Sequence, residues 1–271
     1  IPAYSELLGT GIVRHVVIRT SNKFDDISVT IVTTTPKLPK KEMIVKKLVG
    51  RYRRVVSVMH NYNPGITNVV LGKKSKVLYG EDFIRDDING VMFKISHRSF
   101  YQVNPNQTEE LYKKAIDYAE LTPNDIVIDA YCGIGTIGLS VANYCKTVLG
   151  VEVVKQAIDD AVDNAKINNI SNAKFIAGKA EDVIKSWSNY DVDALFIDPP
   201  RKGCAKAFLD TIIEMKIPKI VYVSCNVATL ARDLNVLQAA GYDVKEVTPF
   251  DMFPQTSHIE AVAKIRLLES K

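Results

Sequence analysis

Cysteine is scarce in this chain. Only Cys132, Cys145, Cys204 and Cys225 occur among its 271 residues, and no two form a CxxC pair. That spacing excludes a disulfide framework and a zinc ribbon, and leaves no clustered set for an iron–sulfur centre. Long apolar runs are missing too. None approaches the roughly 18 residues that cross a bilayer, and Arg14, His15, Arg19 and Lys23 break the first apolar stretch where a signal peptide would keep its core. No membrane partner is therefore expected, and a reduced, cytoplasmic location is. Repeats and low-complexity tracts are absent, and 24% charged residues beside 46% hydrophobic ones point away from disorder. The chain opens Ile1-Pro2 without an initiator Met, which suggests a fragment or a processed product.

What is present divides into two parts. The length suits one large or two modest domains. A formal net charge of +4 conceals an uneven distribution: residues 1–96 hold 16 Lys+Arg against 8 Asp+Glu, a net of +8, and the remainder nets −4. A basic front joined to a mildly acidic back predicts a first module facing a polyanion; a solvated lysine-rich surface is the plainer reading of the same charge. Residues 12–19 and 27–34 are β-branched runs around a polar turn, predicting an antiparallel hairpin. Pro36 and Pro39 end it, and a short basic helix is expected over 40–49. Strand-like pieces follow at 55–60 and 67–71, separated by Asn63-Pro64-Gly65, and again near 82–85 and 91–96. Residues 1–96 thus read as a small α+β domain.

From about Thr108 the rhythm changes. A helix over 109–118 precedes five apolar strands, at 125–130, 147–151, 174–177, 194–198 and 219–224, each followed by a helical stretch. The first of these helices extends through Tyr144, and a closing β pair is expected at 243–249 and 259–267. Strands alternating with helices imply right-handed crossovers and an α/β, doubly wound, mostly parallel sheet. Ligands of such sheets lie beyond the carboxyl ends of the strands.

The motifs fall at those ends. Asp129 closes the first strand, and Gly133, Gly135 and Gly138 then match G-x-G-x-x-G, with Glu152 about 20 residues on. A nicotinamide cofactor satisfies that pattern, and so does S-adenosylmethionine (SAM), whose ribose diol an acid after the second strand can also bind. A carboxylate at Asp129 suits a sulfonium or ammonium group better than a pyrophosphate, which favours SAM. The fourth strand ends in Asp198-Pro199-Pro200, a stiff loop whose carboxylate can accept from a planar ring N–H; Pro-Pro alone can simply terminate a strand. The fifth ends in Ser224-Cys225-Asn226. Most lone cysteines are buried and structural, but a helix N-terminus here predicts a thiolate. Ser257-His258-Ile259-Glu260 leads into the last strand.

These segments, with Ser99-Phe100-Tyr101-Gln102-Val103-Asn104, occur together in one order. In that order they resemble the SAM-dependent RNA 5-methyluridine methyltransferases, particularly the bacterial branch that modifies 23S rRNA. The resemblance covers essentially the whole chain. It implies a Rossmann-like methyltransferase domain over 97–271 behind an RNA-facing domain over 1–96, with SAM as methyl donor and RNA, 23S rRNA foremost and tRNA as the alternative, as partner. It implies Cys225 as nucleophile, Glu260 as the base for the C5 proton, and Gln102, Tyr131, Glu152 and Asp198 as SAM contacts. Asp198 also matches a residue facing the target uracil, Phe100 or Tyr101 an aromatic beside it, and Glu181-Asp182 a contact to adenine. The phosphate-gripping candidates are Arg14, Arg51, Arg53, Arg54, Lys73, Lys74 and Lys76. Larger family members carry an N-terminal oligonucleotide-binding barrel and many carry an iron–sulfur cluster; neither is expected here, and no metal is. The rival reading, a nicotinamide oxidoreductase, leaves Cys225, Glu260 and Asp198 without roles.

Overall fold

A computed structural model describes residues 1–66 and 68–268, which fold as two compact units. The first holds Ile1–Asp87 and Phe93–Ser99; the second holds Ile88–Met92 and the residues from Phe100 onward.

In the first unit, β1 (Val13–Thr20) and β2 (Ile27–Thr33) form the antiparallel hairpin that their β-branched runs predict. The chain then passes through α1 (Lys41–Arg51) to β3 (Val55–Tyr62), which pairs with β2 in parallel. A parallel pair needs a crossover, and α1 serves as one. Its Ile44, Val45, Leu48 and Val49 recur at helical spacing and pack over Val29, Ile31, Val55 and Val58. The strand expected over 67–71 does not form. Thr67 lies outside the described residues, and 68–71 are irregular because side chains take the backbone's hydrogen bonds. Asn63 Nδ2 donates to the Val69 and Val70 carbonyls at 2.7 and 3.1 Å, and Asn61 Oδ1 accepts from Gly72 N–H at 2.7 Å. The strand comes later, as β4 (Lys74–Gly80) at the sheet edge beside β3. Next, β5 (Phe83–Ile88) and β6 (Val91–Ser96) pair around Asn89-Gly90, both at positive φ as a tight hairpin turn requires.

The second unit begins with α2 (Pro105–Ala119), where Asn104 caps the helix and Pro105 takes its first turn. Then follow β7 (Ile126–Ala130), α3 (Thr136–Val141), β8 (Thr147–Glu152), α4 (Lys155–Ile167), β9 (Ala173–Ala177) and α5 (Ala180–Lys185). The chain continues through β10 (Ala194–Ile197), α6 (Lys206–Glu214), β11 (Lys219–Ser224), α7 (Val227–Ala239), β12 (Tyr242–Phe250) and β13 (Glu260–Leu267). The helix expected to reach Tyr144 stops at Val141, and residues 142–144 tighten into a 3-10 turn. One seven-stranded sheet results, in the order β12-β13-β11-β10-β7-β8-β9. Strands β7 to β11 run parallel, whereas β13 lies antiparallel to both its neighbours. The mostly parallel α/β sheet predicted from the alternation is therefore the one observed. All of β10 and nearly all of β11 are buried, with Leu195, Ile197, Ile220 and Tyr222 meeting Phe208 and Ile212 of α6. Each such side chain contributes roughly 1.5–3 kcal/mol on burial, which makes the central strands a stiff platform. Strand order reverses between β7 and β10, so a crevice opens at their carboxyl ends.

Candidate active site

Sheet register gathers the reactive groups at that crevice. Ala130 of β7 lies beside Ile197 of β10, and Ile197 beside Tyr222 of β11. Asp129 and Asp198 thus stand at neighbouring strand ends. On the other side Ser224 faces Ala261, the last pair of that ladder, with Cys225 the next residue after β11 and Glu260 the first of β13. Four residues separated by up to 131 positions are brought together by the rigid part of the fold.

Asp129 is fully buried. Its Oδ2 accepts from Gly138 N–H at 2.7 Å, while Oδ1 has no hydrogen-bond partner. Burial, and then the charge of Glu152, push its carboxyl up to about 7. A Cβ on Gly138 would lie 2.8 Å from Oδ2, so only glycine permits this approach. The glycine turn is tight: Tyr131, Gly133 and Gly135 all have positive φ. The crevice wall includes Gln102, Tyr112, Asp129, Tyr131 and Asp198. Gln102 is buried, the Tyr131 ring packs 5.3 Å from that of Phe208, and Glu152 accepts from Val154 N–H at 2.9 Å. Tyr112, which no motif singles out, donates to Thr136 Oγ1 at 2.8 Å and braces the start of α3. Such a crevice, lined by two acids and with one unpartnered carboxyl oxygen, suits a ligand that brings a positive charge or N–H donors.

Asp198 is partly open to the crevice, yet burial, then Glu260 and Asp129, push its carboxyl up to about 8. Glu260 is buried and likewise pushed up by its burial. Among the described residues neither carboxylate pairs with a cation. Cys225 is half-buried, the most accessible of the four thiols. The thiolate predicted from the helix N-terminus is not favoured in this environment: burial, Glu260 and Asp198 raise the thiol, and only Arg201 and the Cys225 backbone N–H oppose them. Phe100 is exposed and Tyr101 half-buried. Glu181 and Asp182 occupy the first turn of α5.

In the first unit, two of the expected phosphate-binding residues are committed elsewhere. Arg14 donates to the Gly65 carbonyl and pairs with Glu6, its side chain almost wholly covered. Arg54 pairs with Asp25. Arg51, Arg53, Lys73, Lys74 and Lys76 are exposed.

The strand order, with its single reversed strand, is that of the Rossmann-like methyltransferase fold, and a cluster of acids sits at its switch point. More narrowly, the chain belongs to the tRNA (uracil-5-)-methyltransferase family, whose profile matches residues 51–267. It is 49% identical over 98% of its length to an uncharacterized RNA methyltransferase of Oceanobacillus iheyensis, and 51% identical over 97% to one of Listeria monocytogenes serovar 1/2a. The chain spans 59% and 58% of those relatives. Among solved structures it resembles the Pyrococcus abyssi tRNA (uracil-54, C5)-methyltransferase in complex with S-adenosyl-L-homocysteine. There the TM-score is 0.79 at 31% identity, covering 94% of this chain and 60% of that one. No helix among the described residues is long and apolar enough to cross a membrane.

Proposed function

We propose that this protein methylates C5 of a uridine in RNA with SAM as methyl donor, and that Cys225, Asp198 and Glu260 carry the reaction. The observation that supports the reading is the clustering at one sheet edge: Cys225 follows β11, Asp198 follows the adjacent β10, and Glu260 begins β13 on the other side of β11. The residues fit SAM: Asp129 offers an unpartnered buried oxygen to a cationic ligand, and Glu152 stands after the second strand where a ribose diol is held. Gln102 and Tyr131 line the same crevice. When bound, SAM supplies a methyl group activated by its positive sulfur.

The protein's own residues solve the other half of the problem, the poor nucleophilicity of uracil C5. Cys225 Sγ, as thiolate, bonds to C6, and the C5–C6 π electrons move toward C4–O4 as an enolate whose C5 takes the methyl. Asp198 faces the ring edge. Protonated, as its raised pKa permits, it donates to a carbonyl oxygen; ionised, it accepts from N3–H. Glu260 then takes the C5 proton, the C5–H electrons re-form the C5–C6 double bond, and the C6–S bond breaks to return the thiolate. A stacked base cannot present C6 to a thiol, so the uridine is unpaired or flipped out. Arg51, Arg53, Lys73, Lys74 and Lys76 bind flanking phosphates.

The target favoured by the sequence resemblance is 23S rRNA, and the compartment the cytoplasm. A tRNA target is the second reading, supported by the similarity to the Pyrococcus abyssi tRNA (uracil-54, C5)-methyltransferase. Methyl-labelled SAM with transcripts of each RNA, followed by nucleoside mass spectrometry, separates them: 5-methyluridine in one transcript identifies the target. Methylation at any atom other than uridine C5, or calorimetric binding of NAD without binding of SAM, would overturn the proposal.

A further inference from the structure

The first unit has a concavity of its own, which no step of the proposed reaction uses. None of the residues of α1 is buried, although Ile44, Val45, Leu48 and Val49 pack over β2 and β3. Between α1 and the edge strand β4 a groove of about 690 Å³ stays open, within the span of about 300–1,000 Å³ that small-molecule sites occupy. Its α1 wall is Val45, Lys46, Val49 and Gly50, two pairs at i, i+4 spacing on neighbouring rows of the helix. Those side chains are short apart from the lysine, and a Cβ on Gly50 would meet nothing within 4 Å.

The β4 wall is Val77, Leu78 and Tyr79. Strict alternation would turn the middle residue away from its neighbours. The register against β3 shifts here, however: Met59 pairs with Val77 and Val58 with Tyr79, which leaves Leu78 over. A bulge of this kind re-aims side chains, so three consecutive residues reach one groove. Val77 and Tyr79 are each 40% exposed, an apolar surface and an aromatic ring left half uncovered.

Charge and edge chemistry decide between occupants. Among the described residues that line the groove, Lys41, Lys46 and Lys76 stand against one acid, Glu42, which is 3.6 Å from Lys41. Lys46 and Lys76 are exposed and pair with no acid among the described residues. A groove between a helix and an edge strand can also take a peptide as an added strand. Here β4 carries Lys74 and Lys76, the bulge at Leu78 and Gly80 at positive φ, all of which blunt an edge against a further strand. Cations around an apolar floor with one aromatic ring instead match the way single-stranded nucleic acid is held, phosphates on the lysines and a base on the ring.

We propose that this groove is a second RNA site, which holds an unpaired nucleotide other than the one methylated. Its base lies against Tyr79, Val45 and Val49, and its phosphates meet Lys46 and Lys76. The proposal rests on the reading of RNA as the substrate, and its test separates the two.

Fluorescence anisotropy is measured on the full chain with labelled oligouridylate and oligoadenylate, and with an RNA duplex of the same length. Tyr79→Ala should weaken single-strand binding roughly tenfold or more and leave duplex binding nearly unchanged, whereas Tyr79→Phe, which keeps the ring, should match wild type. Lys46→Ala should lower the log–log salt slope for the single strand by about 0.7. Gly50→Leu fills the open space beside α1 and raises helix propensity, so a loss of single-strand affinity with an undiminished thermal midpoint reports the groove rather than misfolding. Photocrosslinks from RNA carrying 4-thiouridine should include the peptides that hold Lys46 and Tyr79. Single-strand affinity equal to wild type in both Tyr79→Ala and Gly50→Leu would overturn the proposal. A dimer that Gly50→Leu converts to a monomer in sedimentation, with RNA affinity unchanged, would overturn it in favour of a second copy of this chain. Methylation at uridine C5 reports separately on the proposed function: methylation with unaltered Tyr79→Ala binding refutes the groove alone, and groove crosslinks without methylation refute that function and leave the groove standing.

Discussion

The buried acids of the first unit and those at the strand ends of the second are treated in opposite ways. In the first, Asp26 is saturated: both its oxygens receive the Arg85 guanidinium, and Oδ2 also accepts from Arg85 N–H. Burial alone would raise it, but those bonds hold its carboxyl below the usual value. Asp86 accepts from Ser21 Oγ and from the N–H groups of Asn22, Lys23 and Asp87. In the second unit Asp129 keeps one bare oxygen, Asp198 and Glu260 lack a cation among the described residues, and all three are pushed up. An acid that holds a fold is given donors, whereas an acid kept for a ligand or a proton is left short of them. Burial is common to both, so the donor count tells them apart.

Breaking the unsatisfied group should cost function first. Cys225→Ala should lower RNA methylation by at least about a thousandfold and remove all covalent capture, since nothing else supplies the nucleophile. Glu260→Gln should slow turnover by roughly 10²–10⁴ while the RNA adduct accumulates as a shifted band on a denaturing gel, because the adduct then lacks a base to resolve it. Breaking the saturated group should cost stability instead. Asp26→Asn should lose about 1–3 kcal/mol in denaturant unfolding and leave SAM binding by calorimetry unchanged.

A pH scan sharpens the contrast further. Asp129 binds its proton more tightly folded than unfolded, so the protonated form stabilises the fold fully below about 4. That contribution is lost as pH rises through about 7. The ligand-free protein should therefore lose stability across that window, and Asp129→Asn should flatten the loss. Asp26 has the opposite sign: its contribution is present above the ordinary carboxylate value and lost on acidification below it. Smallest of all, Lys74→Ala or Lys76→Ala should each reduce the salt dependence of RNA binding by about 0.7–0.9 in log–log slope.

Much of this was legible in the sequence wherever a local rule was strong. The apolar runs of β7, β10 and β11 and the glycines after β7 announce a parallel sheet with its site at the strand ends, and Asp129, Asp198 and Cys225 are found there. Elsewhere distant partners decided. The strand β4 is spaced by Lys74 and Lys76, which mask its alternation, while the β-branched stretch before it is captured as a loop by Asn61 and Asn63. Arg14 resembles any other surface cation until Gly65, 51 positions away, accepts from it. Asp233 looks like an ordinary helix-surface acid, yet it is buried against Cys204 and Tyr222. For Cys225, a helix N-terminus predicted the wrong direction because burial, joined by the charges of Glu260 and Asp198, outweighs it.

Covalent capture tests the central claim most directly. The protein is incubated with SAM and RNA carrying 5-fluorouridine, in which fluorine replaces the proton that Glu260 would remove, and the adduct is digested and mapped. The prediction is a methylated nucleotide joined to Cys225 and to no other cysteine, absent in Cys225→Ala. Methylation of natural uridine C5 in the same RNA without any adduct at Cys225 would contradict the account.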